Sequence, residues 1–204
     1  MVQLKTRYDS KGKAAVITCP TEIKVAKRDY EAIQTATEGY FGNLYIRGRL
    51  KINPTGKITY LDLSDLKLEI RDLHPGLANL TSLEKLDLSY NPLTRLPDVI
   101  GRLSNLKKLM LEHNRLTKLP RSIRDLKRLK ELHLSYNQLT ALPEEIGELE
   151  SLEEIYANFN KIQTLPQSMK KMKSLEYFVI RSNPLNDKAK TLIKELKKSK
   201  VEIV

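Results

Sequence analysis

The 204-residue sequence contains no tryptophan, one cysteine, three phenylalanines and only eight glycines. The single cysteine, Cys19, excludes an intrachain disulfide. It points to a reducing compartment, or at least to a fold that needs no covalent staples. The expectation is a cytoplasmic protein, with an extracellular setting kept open. Cys19 precedes Pro20 without catalytic company and is read as an inert thiol. No apolar run approaches the ~20 residues of a membrane span, so no membrane insertion is expected. The opening "MVQLKTRYDSKGKAAVITCP" is charged and mixed. It lacks the uninterrupted apolar core of a secretory signal and is read as carrying no targeting segment. Catalytic signatures are missing too. There is no Gly-rich phosphate loop, no G-x-S-x-G and no H-E-x-x-H, so no catalytic residue and no cofactor is assigned.

The composition that remains is 40% hydrophobic and 30% charged, which suits a folded globular chain. The net charge of +11 is unevenly spread. Residues 1–57 carry 11 Lys/Arg against 5 Asp/Glu, net +6. Residues 58–186 carry 19 against 17, net +2, and residues 187–204 carry 6 against 3, net +3. Basic flanks around a nearly neutral body read as solvated ends rather than a nucleic-acid groove.

The body is periodic. Leu83, Leu106, Leu129, Leu152 and Leu175 each open a segment of the form L-x-x-L-x-L-x-x-N-x-L, 23 residues after the last, with other apolar residues replacing some leucines. The in-register asparagines are Asn91, Asn114, Asn137, Asn160 and Asn183. Four segments continue as L-P-x-x-[I/M]-x-x-[L/M], as in Leu96, Pro97, Ile100 and Leu103. The L-x-L core has period two and predicts a short strand with its leucines on one face. Asn follows where the chain must turn out of the strand, because a buried amide can satisfy turn backbone groups that are costly to leave unpaired. The apolar spacing of three to four after the proline predicts a helical or 3₁₀ return, and Pro at its start sacrifices no hydrogen bond. One such unit cannot bury its own apolar stripe, so neighbours must stack with parallel strands.

This pattern resembles the leucine-rich repeat family, in its 23-residue "LPxxI" class. That class occurs in Ras-associated and scaffold-type proteins, in the arms of Roco-type GTPases and in bacterial repeat proteins. The resemblance covers about residues 58–185, and residues 26–57 more loosely. It implies an α/β fold: a right-handed solenoid, or horseshoe, with a parallel concave sheet and helical caps at both ends. The expected layout is an N-terminal cap region at 1–57, one degenerate plus five regular repeats at 58–185, and a C-terminal helical cap at 186–204. In the first region a helix at about 26–38 is followed by strands with a turn at "NPTG". The stretch "GKITYLDLS" resembles the N-terminal cap of plant-receptor repeat proteins, although the tryptophans and cysteine pair usual there are absent. Ile58, Leu61 and Leu63 open the degenerate repeat, in which Leu66 stands where Asn is expected and two extra residues precede Leu86. In the last region Asn186 or Asp187 caps a helix with Ala189, Leu192, Ile193 and Leu196 on one face, and Val201 and Ile203 follow as an edge strand.

The letters free to vary carry the candidate site, because they point away from the core onto the concave face. Aligned, the third position holds Tyr60, Lys85, Lys108, Glu131, Glu154 and Tyr177, and the fifth holds Asp62, Asp87, Met110, His133, Tyr156 and Val179. The seventh holds Ser64, Ser89, Glu112, Ser135, Asn158 and Arg181, and the eighth holds Asp65, Tyr90, His113, Tyr136, Phe159 and Ser182. Tyr, Met and Arg are enriched in protein-binding patches, and large aromatics dominate their energetics. The expected contact line is Met110, His133 and Tyr156, flanked by Tyr136 and Phe159. The expected function is therefore non-catalytic protein binding on the concave face, the partner being a protein of unknown identity. The alternatives are an arm of a larger signalling protein of the Roco-type GTPase kind, or a secreted effector binding a host protein. His113 and His133 fall roughly 11 Å apart by strand geometry, too far for a shared metal ion, and none is assigned. The basic cluster Arg115, Lys118, Arg121, Arg124, Lys127, Arg128 and Lys130 suggests a phosphate surface. The concave columns are acidic on balance, however, so no nucleic acid is expected. An exposed end strand leaves a monomer or a weak homodimer as the expected state.

Overall fold

The computed structural model describes residues 2–3, 24–25, 49–69, 75–199 and 201–204. The helix expected at about 26–38, and any strand before residue 49, lie outside the described residues. Within them, strands β1 (Val2–Gln3) and β2 (Lys24–Val25) form an antiparallel pair that the sequence did not announce.

The main sheet has eight strands lying side by side in chain order. They are β3 (Leu50–Ile52), β4 (Ile58–Asp62), β5 (Lys85–Asp87), β6 (Lys108–Met110), β7 (Glu131–His133), β8 (Glu154–Tyr156), β9 (Tyr177–Val179) and β10 (Glu202–Ile203). Every pairing from β4 to β10 is parallel, and β3 pairs antiparallel with β4 through the Asn53–Gly56 turn. In that turn Asn53 Oδ1 accepts from the backbone of Thr55 and Lys57, and Gly56 takes φ 79°, open to glycine without strain. Leu61 lies opposite Leu86, then Leu109, Leu132, Ile155 and Phe178, so the sequence repeat and the strand register are the same thing. The two extra residues of the degenerate repeat are absorbed between β4 and β5.

Opposite the sheet, four of the five regular repeats return through a single 3₁₀ segment: Asp98–Arg102, Arg121–Asp125, Glu144–Glu148 and Gln167–Lys171. Pro97, Pro120, Pro143 and Pro166 precede them in extended conformation, and their carbonyls accept from the amides of Ile100, Ile123, Ile146 and Met169. Between the two layers lies one continuous leucine core. Leu83, Leu86, Leu88, Leu93, Ile100 and Leu103 of the first regular repeat are fully buried, and the later repeats copy them. Burying each such side chain is worth about 1.5–3 kcal/mol.

The asparagines explain how the repeats are tied. Asn137 donates from Nδ2 to the carbonyls of Leu134 (3.0 Å) and Leu111 (2.8 Å), while its Oδ1 accepts from Leu116 N (2.9 Å). Two of these three bonds reach the preceding repeat. Asn114, Asn160 and Asn183 repeat the arrangement. Each asparagine therefore serves the repeat before it. The first repeat has no repeat before it, which is why Leu66 can stand where Asn was expected. Asn91 does extra service there, accepting from both Leu66 N (3.2 Å) and Leu68 N (2.9 Å).

At the far end, helix α1 (Asp187–Lys198) buries Ala189, Leu192 and Leu196. Asn186 Oδ1 caps it by accepting from Ala189 N, and Lys197 and Lys198 sit in its last turn. The chain then returns as β10, a parallel strand beside β9.

Candidate functional site

The strand register delivers the expected third and fifth columns on the open face of the sheet. Tyr60, Lys85, Lys108, Glu131, Glu154 and Tyr177 lie in one row, and Asp62, Asp87, Met110, His133, Tyr156 and Val179 in the next. Three residues depart from the open-face reading. Val179 is 6% exposed, because it sits in the sheet between Tyr156 and the C-terminal strand that pairs with β9. Ser89 and Ser135 are each 4% exposed, their hydroxyls too short to emerge between the longer neighbouring side chains. The seventh column therefore presents Ser64, Glu112, Asn158 and Arg181 rather than Ser89 and Ser135.

The middle of the face is a linked polar network. Lys108 Nζ donates to Glu131 Oε2, which also lies 3.3 Å from His133 Nε2. The other ring nitrogen, His133 Nδ1, lies 3.7 Å from Glu112 Oε1. His133 is thus held between two carboxylates and stacks on Tyr156 at 4.5 Å. The contact with His133 holds the Glu112 carboxyl below its ordinary range. Burial pushes Glu131 upward, but its bonds to Lys108 and His133 outweigh this and leave it lowered. Tyr156 Oη donates to Glu154 Oε2 at 2.7 Å, and this bond, reinforced by burial, pushes the phenol up to about 12. Tyr177 leans on Tyr156 at 5.7 Å, tilted by 54°.

A second row runs alongside, three residues past the end of each strand. Tyr90, His113, Tyr136 and Phe159 stack face to face, with centroids 4.4, 4.2 and 4.5 Å apart and planes within 9–12° of parallel. All four hold a left-handed backbone, at φ 58°, 53°, 58° and 51°. Tyr90, Tyr136 and Phe159 are 57%, 45% and 47% exposed. The single expected contact line thus resolves into two. Met110, His133, Tyr156 and Tyr177 belong to the strands, while Tyr136 and Phe159 belong to a separate ladder with Tyr90 and His113. The two histidines have different company, one between tyrosines and one between carboxylates, and the described residues contain no cluster of three or more metal-type ligands.

At the N-terminal end of the face, Asp62 accepts from Ser64 and lies 3.4 Å from Arg49, which also donates to Ser64 O. Lys51 lies 5.8 Å above the Tyr60 ring. Burial, with Asp62 and Asp87 nearby, pushes the Tyr60 phenol upward. Arg49 and Lys51 were missed in the sequence. The signal was there, since alternation in "RLKI" puts both on the side of β3 that faces Tyr60 and Asp62. Asp87 accepts from Ser89 N, while Lys85 and Arg181 are exposed.

The outer basic cluster is largely answered within the fold. Lys130 pairs with Glu153, Lys127 with Glu148 and Arg121 with Glu145, all one repeat further on, and Arg128 donates to Asn105 one repeat back. A basic repeat beside an acidic one gives these inter-repeat pairs.

The tandem strand, asparagine turn and 3₁₀ return place the chain among the solenoid repeat proteins. The profile described as "Leucine-rich repeat region" matches residues 98–200, and "Leucine rich repeat" matches residues 56–116. The chain belongs to the leucine-rich repeat family. It is 52% identical over 56 residues to human leucine-rich repeat and WD repeat-containing protein 1, a match spanning 27% of this chain and 9% of that protein. A leucine-rich repeat protein of Leptospira interrogans superposes with TM-score 0.62 at 36% identity, over 71% of this chain and 35% of that one. The ectodomain of the receptor kinase SOBIR1 from Arabidopsis thaliana superposes with TM-score 0.62 at 24% identity, over 80% and 98% of the two chains, a likeness of fold. Leucine-rich repeat domains generally mediate protein–protein interaction and are typically non-catalytic. Among the described residues, no helix is long and apolar enough to cross a membrane.

Proposed function

We propose that this chain is a non-catalytic interaction module that binds a protein partner on the open, concave face of its sheet. The observation that carries this reading is the pair of aromatic rows standing in strand register beside a charged network. Large rings on a rigid sheet give contact area without loss of much conformational freedom, which is what interface anchors need. The layout we adopt is a cap region at 1–57, repeats at 58–185 and a C-terminal cap at 186–204, the last supported by the apolar face that α1 buries. The absence of any possible intrachain disulfide favours a reducing compartment. A second reading is an arm of a larger signalling protein, since the human relative is named for leucine-rich repeats joined to WD repeats in one chain.

The test is affinity capture with the purified chain, comparing the unaltered protein with a His133→Ala/Tyr156→Ala variant. A protein retained by the first and lost from the second supports the reading. A partner retained equally by both would place binding elsewhere.

A further inference from the structure

The eighth column contains more aromatic surface than the fold requires. Asp65 and Ser182 hold the same left-handed backbone as the four rings, at φ 53° and 56°, with small polar side chains. Left-handed φ is unfavourable for bulky residues, and such strain at an exposed position is a signature of function. The rings are stacked, so each interior face is covered and only the edges and two terminal faces are open.

The two terminal faces differ in charge. Beyond Phe159 the next rung is Ser182, beside the cationic Arg181. Beyond Tyr90 the next rung is Asp65, whose amide bonds Ser89 O just as that of Tyr90 bonds Glu112 O. Asp65 is exposed, and its carboxylate has no partner among the described residues. One strand spacing, about 4.8 Å, separates neighbouring rungs, the thickness of one more planar group.

We infer that the Tyr90 end of this ladder receives an arginine side chain from an extended, cationic segment of the partner protein. The guanidinium continues the ring stack on Tyr90 and pairs with the Asp65 carboxylate. This rests on the open-face binding reading and specifies its partner. Arginine is selected over lysine because a flat, delocalised cation stacks on a ring and grips a carboxylate at two points, which a compact ammonium cannot do. Charge agrees. The open face carries Asp62, Asp65, Asp87, Glu112, Glu131 and Glu154 against Arg49, Lys51, Lys85, Lys108 and Arg181, but Asp62 is already paired with Arg49 and Glu131 with Lys108, whereas the Asp65 carboxylate has no such partner among the described residues. A cationic side chain is thus drawn to the Asp65 carboxylate rather than to its already paired neighbours.

The experiment measures fluorescence anisotropy of a fluorescein-labelled peptide of alternating glycine and arginine, titrated with the full chain at low salt. Matched glycine–lysine and glycine–glutamate peptides serve as comparisons. The arginine peptide binds tightest and the glutamate peptide does not bind. Tyr90→Ala and Asp65→Asn each weaken the arginine peptide about tenfold, the scale of one lost anchor contact. Tyr90→Phe keeps the stack and the affinity, and Phe159→Ala at the far end changes little. Equal binding of the arginine and lysine peptides, or indifference to both Tyr90→Ala and Asp65→Asn, overturns the inference. A natural partner that needs His133 and Tyr156, found together with no binding of the arginine peptide, overturns the arginine assignment and leaves the open-face reading standing.

Discussion

The asparagine column should be graded in its effect on stability, and the grading follows from counting what each amide alone supports. In Asn137→Ala, three carbonyls lose a donor. Leu111 O keeps Asn114, Leu134 O keeps Asn160, and Ser135 O keeps the amide of His113. Only Leu116 N is orphaned. In Asn91→Ala, Leu88 O keeps Asn114 and Ser89 O keeps the amide of Asp65. Leu66 N, Leu68 N and Leu63 O lose the partner that Asn91 supplied. In Asn183→Ala, Ile162 N and Ile180 O lose theirs, but Asn183 is half-buried where Asn91 and Asn137 are 4% and 7% exposed, so water can step in.

A buried group left unsatisfied costs about 1–3 kcal/mol. The expected losses are therefore about 3–6 kcal/mol for Asn91→Ala, about 2 for Asn137→Ala and about 1 or less for Asn183→Ala. Asn137→Asp provides an internal control. It keeps an acceptor for Leu116 N but turns a carboxylate toward the carbonyls of Leu111 and Leu134. Near neutral pH it should cost more than the alanine, and less once acid protonates it. The assay is equilibrium urea unfolding followed by far-UV circular dichroism, since without tryptophan the chain offers only tyrosine emission. Equal losses at the three positions, or an aspartate milder than alanine at neutral pH, would refute the bond count.

Gly147→Ala should destabilise by about 1–3 kcal/mol, because the new Cβ would lie 2.5 Å from Ser168 O of the neighbouring 3₁₀ segment. Ser168→Gly should rescue it only partly, since the backbone oxygen remains. Tyr156 should titrate late, its phenolate absorbance rising only near pH 12, and Glu154→Gln should bring it back toward the ordinary value. Because the folded pKa is raised, the Tyr156–Glu154 bond supports stability fully below about pH 10 and fades as pH climbs through 12. For Glu112 the sign reverses. Its lowered carboxyl contributes above the ordinary value of 4.5 and loses that contribution as pH falls through the lower folded value, so His133→Ala should flatten acid unfolding, read by circular dichroism. Tyr136→Asn should leave the melting temperature nearly unchanged, as asparagine tolerates left-handed φ and one relieved strain offsets lost stacking of about 0.5–1.5 kcal/mol per pair. A collapse in stability would make the ladder a folding element.

What was legible in the sequence is what stacking requires. Leu86, Leu109 and Leu132 had to share a face, and Asn186 and the spacing of Ala189, Leu192 and Leu196 announced a capped helix. Those are local patterns with one physical reading. The less legible features depend on a neighbour. Leu66 looked like a defect until the asparagines proved to bond backwards, so that the first repeat has nothing to serve. Gly101 and Gly147 carry no local sign that glycine is required. Their need for glycine comes from Ser122 and Ser168, 21 residues away in each case, which sit too close for a Cβ. The split of the aromatics into two rows was hidden because left-handed backbone is usually signalled by Gly, Asn or Asp. Tyr90, His113, Tyr136 and Phe159 carry no such flag.

That concealment bears on what the eighth column is for. Folding asks of it only a residue that can turn left-handed and let its amide reach the next strand's carbonyl; Asp65 does both, and Ser182 takes the same left-handed backbone. The four rings between them add nothing to the core, since the leucines beneath are already fully buried. Their mutual stacking roughly cancels the backbone strain of holding them there. A feature near neutral for stability, exposed to solvent and confined to four consecutive repeats is one that the fold neither demands nor forbids. The strand rows are different, because His133 is tied to Glu112 and Glu131 and lowers both carboxyls, and Tyr156 is tied to Glu154, which raises the phenol. Substitutions in the strand rows will therefore disturb charge and binding together, whereas the ladder can be altered one ring at a time with binding as the only readout to move.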